Sequence, residues 1–295
     1  MRLRLLKDRT SVIVFWSFTV LSISTLIAIG VGLGIKSWPL FETQSLSDLF
    51  FSDTWRPLSG KFGFLAFIAG TLWVTAISLI LAVPISVLTA LYLSEFAHPW
   101  VRKVFLPIID VLSGIPPVVY GVWGVLVLVP LVTSLSEFVG AFSFGYSVLA
   151  GGLVLSLMIT PLMISIILDV LGSIPTVYRE ASLSLGATRW ETTWQILARK
   201  ARPGILAAVI LSLSRAFGET IAVLMVCGNM PMLPQSVFDA GYPLPALIAN
   251  NYGEMMSIPL YDSALMMAGL VLFVVIVFFN LIARVVLFRL ETELQ

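Results

Sequence analysis

The chain has 295 residues, of which 59% are hydrophobic and 11% charged, and its mean hydropathy is +1.02. Soluble domains carry about 25% charged residues, so this composition excludes a soluble protein and indicates an integral membrane protein. A single cysteine and a single histidine exclude an internal disulfide and a local Cys/His metal cluster. A formal net charge of +1 excludes the basic surface that nucleic acid requires, and we expect no metal, cofactor or nucleic-acid partner.

The N-terminal segment superficially resembles a signal peptide. Met1 to Thr10 is basic, and the apolar run from Ser11 to Ile35 follows it. The hydrophobic region of a secretory signal has about 7–15 residues, whereas a run of this length is long enough to span a bilayer. We interpret the segment as an uncleaved first membrane helix.

Six segments are long and apolar enough to cross a membrane. About 20 apolar residues cross the hydrocarbon core, and the segments must be helical because unpaired backbone groups are not tolerated in lipid. The predicted spans are Val12–Ile35, Phe64–Leu91, Phe105–Leu131, Tyr146–Leu168, Gly204–Met225 and Ser263–Phe288. Prolines are expected to kink or terminate them; these are Pro84, Pro107, Pro116, Pro117, Pro130 and Pro161.

The basic residues predict the orientation, because Lys and Arg accumulate on the cytoplasmic side. Thirteen fall on one side of the predicted spans and three on the other. The larger set is Arg2, Arg4, Lys7, Arg9, Arg102, Lys103, Arg179, Arg189, Arg199, Lys200, Arg202, Arg284 and Arg289, and the smaller is Lys36, Arg56 and Lys61. Both termini are therefore predicted to be cytoplasmic.

The longest predicted cytoplasmic connection, Asp169 to Pro203, has the pattern of two short helices. Pro175 suits a helix start, Gly186 a left-handed stop, and Thr188 to Glu191 a capping box that opens the second helix. Tyr178 and Trp190 are expected to lie exposed near the bend. Two interpretations remain open: a docking helix for a soluble partner, or an amphipathic helix on the membrane surface.

A charged pair interrupts the apolar run from Gly204 to Met230. Arg215 lies near its middle, and Glu219 follows one helical turn later. A charge at the centre of a membrane helix costs roughly 2.5–3.5 kcal/mol on insertion scales, so such groups face a partner or a polar pathway. In a continuous helix the two side chains would share a face and pair. The pair is either part of a pathway for an anion or a neutral pair that holds helices in register.

The outer connection from Gly228 to Asp262 has no Lys or Arg and is rich in Pro, Asn and Gly. We expect it to face a binding partner, with a short helix near Pro245–Asn251. Whether it re-enters the bilayer is not decided by the sequence.

The cytoplasmic connection resembles the EAA motif of ABC importer permeases. The matching residues are Glu180-Ala181-Ser182, then Gly186 after three intervening residues, then Ile196 after nine more intervening residues. In that family the motif forms a coupling helix that fits a groove on the ATPase subunit, which assigns ATPase coupling to Glu180, Ala181, Gly186, Ala187 and Thr188. Ser182 replaces the usual second alanine, and Ala198-Arg199 replace Leu-Pro.

The run from Ser212 to Asn229 resembles the signature of phosphate-specific ABC importer permeases, in which Arg-Ala-x-Gly-Glu-Thr lies within a membrane helix. Its continuation is more similar to the PstC type than to the PstA type, and Ser113 to Gly124 resembles the third-helix motif of that type. The resemblance covers roughly residues 64 to 288. It assigns the substrate pathway to Arg215 and Glu219.

The resemblance implies an all-α membrane protein with six transmembrane helices, the type I ABC importer permease fold and a cytoplasmic coupling helix. Residues 1–63 would form the N-terminal tail, first helix and outer loop, residues 64–288 the permease core with its coupling loop at about 171–203, and residues 289–295 a cytoplasmic tail. The implied location is the bacterial cytoplasmic (inner) membrane, where lipid surrounds the spans.

The implied function is the import of inorganic phosphate by alternating access. The implied partners are a second permease of the PstA type, a dimer of ATP-binding subunits and an extracytoplasmic phosphate-binding protein. The chain lacks a Gly-x-x-x-x-Gly-Lys-Ser/Thr loop, so the resemblance leaves ATP hydrolysis to a partner and predicts that this chain is no enzyme.

Two alternatives stay open, and a third is weak. A permease for molybdate, tungstate or sulfate would use the same arginine. A membrane subunit that signals phosphate sufficiency without transport is an alternative of another class. An intramembrane enzyme has little support, because the spans contain no His/Asp/Ser or paired-carboxylate constellation.

Overall fold

The computed structural model describes residues 2–254 and 257–293, with the side chains of residues 11–254 and 257–289. These residues are mostly helical, and a short antiparallel pair of strands joins Trp55 to Phe62 and Arg56 to Lys61. The helices are α1 (Arg2–Thr43), α2 (Leu46–Phe51), α3 (Leu65–Leu91), α4 (Pro99–Gly114), α5 (Pro117–Trp123), α6 (Val129–Val139), α7 (Val148–Ser173), α8 (Val177–Ser184), α9 (Arg189–Glu191), α10 (Ala198–Gly218), α11 (Ile221–Val226), α12 (Leu244–Asn251) and α13 (Tyr261–Glu293); the strands are β1 (Trp55–Arg56) and β2 (Lys61–Phe62).

Three π-helical segments extend or join these helices without breaking the chain's helical course. Tyr92–Phe96 extends α3, Gly124–Leu128 joins α5 to α6, and Thr192–Leu197 joins α9 to α10. Among the described residues, five helical segments are long and apolar enough to cross a membrane: Ser11–Thr43, Leu65–Phe96, Pro117–Val139, Val148–Ser173 and Tyr261–Arg289. The predicted all-helical membrane architecture is confirmed, but the predicted number of six spans is not.

The centre of the bundle is the packing of α3 against α7. A Cβ atom added to Gly152 of α7 would lie 2.4 Å from Cγ2 of Ile77 on α3, so the two backbones approach as closely as they do only because this residue is glycine. Helices α10 and α4 pack against this pair, and α13 packs against α10.

The first helix lies outside the core and packs along α13. Its apolar side chains from Val12 to Ile35 are largely exposed in the isolated chain, as expected for a helix that faces lipid. Gly30 fits directly against the ring of Phe273, because an added Cβ would lie 3.1 Å from that ring. The predicted first span is thus one continuous helix, and the proposed boundary between residues 63 and 64 stays a prediction.

The third predicted span, Phe105–Leu131, is interrupted. Helix α4 ends at Gly114, Ile115 is extended (φ −64°, ψ 131°), and α5 begins at Pro117. The physical cause is the pair Pro116-Pro117, since proline disfavours helical dihedrals in the preceding residue and donates no backbone hydrogen bond. The apolar helix long enough to span a membrane here is Pro117–Val139.

The fifth predicted span, Gly204–Met225, is also interrupted. Helix α10 ends at Gly218, Glu219 is extended (φ −72°, ψ 121°), and α11 begins at Ile221. Glycine stabilises a helix interior less than any residue except proline, and it stands here where the helix ends. The short helix predicted near Pro245–Asn251 is present as α12, which packs against α13 and α3.

Candidate functional site

Two interrupted helices lie side by side in the bundle. Helix α5 packs against α11, and the contact depends on glycines: a Cβ on Gly121 would lie 3.2 Å from Cα of Ala222, and a Cβ on Gly124 would lie 2.5 Å from Cγ2 of Val154 and 3.0 Å from Cγ1 of Val226. Because position 121 meets 222 and position 124 meets 226, the two helices run in the same direction. The two breaks therefore lie at the same level.

Both breaks open towards free space on the isolated chain. A Cβ added to Gly114 or to Gly218 would meet no heavy atom within 4 Å, and both glycines are exposed. Discontinuous helices near the middle of a bilayer are the structures from which many transporters build their substrate sites, since the freed backbone groups line a cavity there.

Arg215 lies in the last turn of α10, one turn before the break, and is partly exposed. Its positive charge suits the C-terminal end of a helix. On the neighbouring helix α5, the Tyr120 hydroxyl donates a 2.8 Å hydrogen bond to the carbonyl oxygen of Leu112 at the end of α4. Arg215 and Tyr120 therefore each lie beside one of the two breaks.

The predicted pairing of Arg215 with Glu219 is wrong for this structure. Within the described residues the ion pair found is Arg179 with Glu95, and the guanidinium of Arg215 has no hydrogen-bond partner there. The cause is the break itself, because the extended Glu219 no longer lies one helical turn above Arg215. Instead, Oε1 of Glu219 accepts a 3.3 Å hydrogen bond from the backbone N–H of Ala222 and so satisfies a free donor at the start of α11.

The end of α10 that carries Arg215 is fixed to α13. The Ser214 hydroxyl lies 2.8 Å from Oδ1 of Asn280, and the rings of Phe217 and Phe279 pack with their centroids 5.1 Å apart. A side-chain hydrogen bond between membrane helices stabilises their association by about 0.6 kcal/mol on average. The position of Arg215 is thus set by packing and not by a carboxylate partner.

The connection between α7 and α10 has the predicted form. Helix α8 is followed by Gly186 with φ +87°, a left-handed conformation that favours glycine. Thr188 and Glu191 form the capping box: the backbone N–H of Thr188 donates to Oε2 of Glu191 at 2.7 Å, and the N–H of Glu191 donates to Oγ1 of Thr188 at 3.2 Å. Hydrogen bonds from Thr188 lower the pKa of the Glu191 carboxyl.

The turn between α8 and α9 exposes an aromatic and apolar surface. Leu185 is 90% exposed and Trp190 61% exposed, and Trp190 stacks on Trp194 with the ring centroids 5.9 Å apart. Four of the residues predicted to couple to the ATPase are exposed and one, Ala187, is half-buried; the exposed ones are Glu180, Ala181, Gly186 and Thr188. The surface is accessible to a partner, as the docking interpretation requires.

A cavity of about 810 Å³ lies at the opposite end of α11 from the break. The loop between α6 and α7 and the segment after α11 form its walls, which are mainly aromatic and methionine side chains: Phe142, Phe144, Tyr146, Met230, Met232 and Phe238. Sequence reasoning did not find this cavity or Tyr120, because both depend on segments that meet only in the fold.

Comparison with known proteins agrees with this architecture. Residues 82–292 match the family described as "binding-protein-dependent transport system inner membrane component". The probable ABC transporter permease protein YqgH of Bacillus subtilis (strain 168) is 40% identical over 266 residues, which cover 89% of this chain and 85% of that protein. The phosphate transport system permease protein PstC of Xylella fastidiosa (strain 9a5c) is 37% identical over 267 residues, covering 85% of this chain and 82% of the relative.

Solved structures show the same fold. A chain of a bacterial alginate ABC transporter, in complex with an alginate pentasaccharide-bound periplasmic protein, superposes with a TM-score of 0.63 at 18% identity, covering 95% of this chain and 96% of that one. A chain of the MetNI methionine ABC transporter in an inward-facing conformation gives a TM-score of 0.56 at 20% identity, covering 77% of this chain and 94% of that one.

The helical bundle, the paired breaks and the exposed turn between α8 and α9 define a multi-pass permease with the fold of type I ABC importers. The chain belongs to the family of binding-protein-dependent transport system inner membrane components. It is therefore a transport subunit of the inner membrane that works with ATP-hydrolysing and substrate-binding partners, and ATP hydrolysis takes place on the partner.

Proposed function

We propose that this chain is the membrane-spanning permease subunit of an ATP-driven importer that moves inorganic phosphate across the cytoplasmic membrane by alternating access. The observation that carries the proposal is the guanidinium of Arg215, which stands without a carboxylate partner among the described residues, beside two helix breaks that lie level with each other. Relatives named as phosphate transport system permeases, 37% and 35% identical, support phosphate as the substrate.

Arginine suits this task because its planar fork of donors matches the oxygens of a tetrahedral oxyanion and remains charged at all physiological pH values. A transport site must release its ligand. A single guanidinium beside an exposed helix break meets this requirement better than a site that encloses the anion with many donors. Glu219 serves the site by capping α11, which holds the break open and leaves the guanidinium free for the passing anion. Tyr120 adds a hydroxyl beside the neighbouring break, where it bonds to the carbonyl oxygen of Leu112.

The partners follow from the surfaces at the two ends of the protein. The turn that contains Glu180, Ala181, Gly186, Ala187 and Thr188 docks on the ATP-binding subunit dimer, in the interpretation in which it forms a coupling helix. A second permease of the PstA type packs beside this chain. An extracytoplasmic phosphate-binding protein delivers substrate to the outer end, where the 810 Å³ cavity opens, and both termini are cytoplasmic.

The experiment is uptake of labelled phosphate by cells that lack their own high-affinity importer and carry this chain with its partner subunits. Loss of a hydrogen-bonded charge removes about 1.5–3 kcal/mol, and 1.4 kcal/mol is a factor of ten, so we expect Arg215→Gln to lower uptake roughly ten- to a hundredfold. The matched control is Arg56→Gln, which removes one exposed charge away from the breaks and should leave uptake unchanged.

Excess sulfate or molybdate tests the choice of anion. Phosphate uptake that neither anion inhibits supports a phosphate-specific permease. Phosphate uptake that either anion inhibits favours a permease that accepts several oxyanions. Equal uptake by the Arg215→Gln and Arg56→Gln proteins contradicts a pathway role for Arg215. Absence of uptake by the unaltered complex, with all subunits assembled, favours a signalling subunit.

A further inference from the structure

Arg179 and Glu95 form an ion pair that joins distant parts of the chain on the cytoplasmic side. Nη2 of Arg179 lies 2.7 Å from Oε1 of Glu95, and Nε lies 3.0 Å from Oε2. Two parallel N–H···O contacts of this kind are the fork-to-fork geometry that makes arginine–carboxylate pairs strong and directional. The side chains are only 23% and 12% exposed, so water screens the pair less than it screens a surface salt bridge.

The same guanidinium also binds the end of α7. Nη1 donates to the carbonyl oxygen of Ile174 at 3.1 Å, and Nη2 donates to that of Leu171 at 3.3 Å. Carbonyl groups in the last turn of a helix lack intrahelical partners, and a cation there also interacts favourably with the helix dipole. Arg179, which belongs to α8, therefore connects α8 with both α7 and α3.

Glu95 lies in the π-helical segment that extends α3. π-helical turns are rare and occur frequently at functional sites. The Ser94 hydroxyl donates a 2.8 Å hydrogen bond to Oε1 of Glu95, which helps to orient the carboxylate towards Arg179. Because α3 packs against α7 at the centre of the bundle, the contact with Glu95 connects Arg179 to this core.

Two other side-chain contacts of α8 join it to the segment that follows it in the chain, and not to α3. Ser182 and Thr192 share a hydrogen bond of 2.9 Å, and Nζ of Lys200 lies 3.2 Å from the Tyr178 hydroxyl and 4.5 Å from the centre of its ring. Both link α8 to the chain segment that follows it. Among the polar contacts of the described residues, Arg179 with Glu95 is the one that ties α8 to the helix α3.

We infer that the Arg179–Glu95 pair is a rigid link that transmits displacement of α8 to the α3–α7 core, and that it is required for coupling ATP hydrolysis to transport. The inference rests on the proposed function, in which α8 is the helix that docks on the ATPase. The two residues are positioning residues: they contact neither substrate nor ATP, and they act by making α8 and the core move as one body. Pairing with Glu95 raises the pKa of the Arg179 guanidinium, so the arginine stays charged throughout the transport cycle.

The first test measures the two activities of the assembled complex separately in proteoliposomes. For Arg179→Gln and for Glu95→Gln, we expect copurification of the ATPase and ATP hydrolysis to be retained, while phosphate moved per ATP hydrolysed falls about tenfold, within the usual range of coupling between sites. The exchanged pair, Glu95→Arg with Arg179→Glu, should restore most of that ratio. Lys103→Gln, which removes an exposed charge on α4, is the matched control.

The second test needs no transport and therefore separates this inference from the proposed function. Spin labels at Ser184→Cys on α8 and Leu88→Cys on α3 report the distance between the two helices; both side chains are exposed. We expect a narrow distance distribution for the unaltered pair, a broad one for Arg179→Gln, and a narrow one again for the exchanged pair. An Arg179→Gln protein with a narrow distribution and an unchanged transport ratio would overturn the inference, even if the transported anion proved not to be phosphate.

Discussion

Substitution of Glu219 distinguishes a helix cap from an ion-pair partner. In the structure, Glu219 accepts a hydrogen bond from the backbone N–H of Ala222 and makes no ion pair with Arg215 within the described residues. Glutamine keeps the accepting oxygen but removes the charge, whereas alanine removes both. The two interpretations therefore predict different orders of damage for these two variants.

The magnitudes follow from the contact. Replacing a capping side chain by alanine costs about 0.5–2 kcal/mol, and a charge at a helix N-terminus contributes about 0.3–1 kcal/mol. Glu219→Gln should lose only the second contribution, which corresponds to about a two- to fivefold effect. Glu219→Ala should lose both, which corresponds to about a four- to hundredfold effect at 1.4 kcal/mol per factor of ten. An ion pair would instead make the two variants equally damaging.

The assays are labelled phosphate uptake and thermal unfolding of the purified complex in detergent. We expect uptake and melting temperature to fall in the order unaltered protein, Glu219→Gln, Glu219→Ala. The reasoning is refuted if glutamine is as damaging as alanine, or if Arg215→Gln combined with Glu219→Gln transports better than Arg215→Gln alone, because only a direct ion pair gives that compensation. Glu137→Gln, an exposed carboxylate of α6, is the matched control.

Further expected outcomes concern the packing of the site and its supports. Gly124→Ala should destabilise the protein by about 1–3 kcal/mol through overpacking between α5 and its neighbours, whereas Gly172→Ala, which meets no atom within 4 Å, should be neutral or slightly stabilising; thermal unfolding of both variants decides. Thr188→Ala should cost about 1 kcal/mol by loss of the capping box and weaken ATPase copurification, while Thr188→Ser should not. Ser214→Ala should loosen α10 from α13 by about 0.6 kcal/mol, measured as a lower melting temperature with little change in ATPase copurification.

Composition and spacing predicted much of this protein because membrane insertion imposes simple rules. Length and apolarity located the first, second, fourth and last spans, and the signals of Gly186 and the Thr188 capping box located the turn between α8 and α9. These features are local, since a cap or a turn depends on residues within one helical turn of each other.

The breaks were harder to predict. The pair Pro116-Pro117 is a clear local signal for the break between α4 and α5. The shift that this break causes in the boundaries of the third span was not predicted from the sequence. At Gly218 no proline is present, and an isolated glycine inside a helical pattern is ambiguous. The pairing of Arg179 with Glu95 joins residues 84 positions apart and has no local sequence signal, so only the fold reveals it.

The position of α10 relates the two sites of this permease to each other. The π-helical segment Thr192–Leu197 connects its start to the exposed turn between α8 and α9, and its last turn carries Arg215. With a rise of about 1.5 Å per residue, the 21 residues of this helix cover roughly 30 Å. On the proposed mechanism, a displacement of the turn would reach Arg215 along α10, and the Arg179–Glu95 pair would carry the same displacement to α3. If both links act together, the break beside Arg215 changes shape only when the core moves as well. Loss of the pair should then uncouple the ATPase from the site without removing either one.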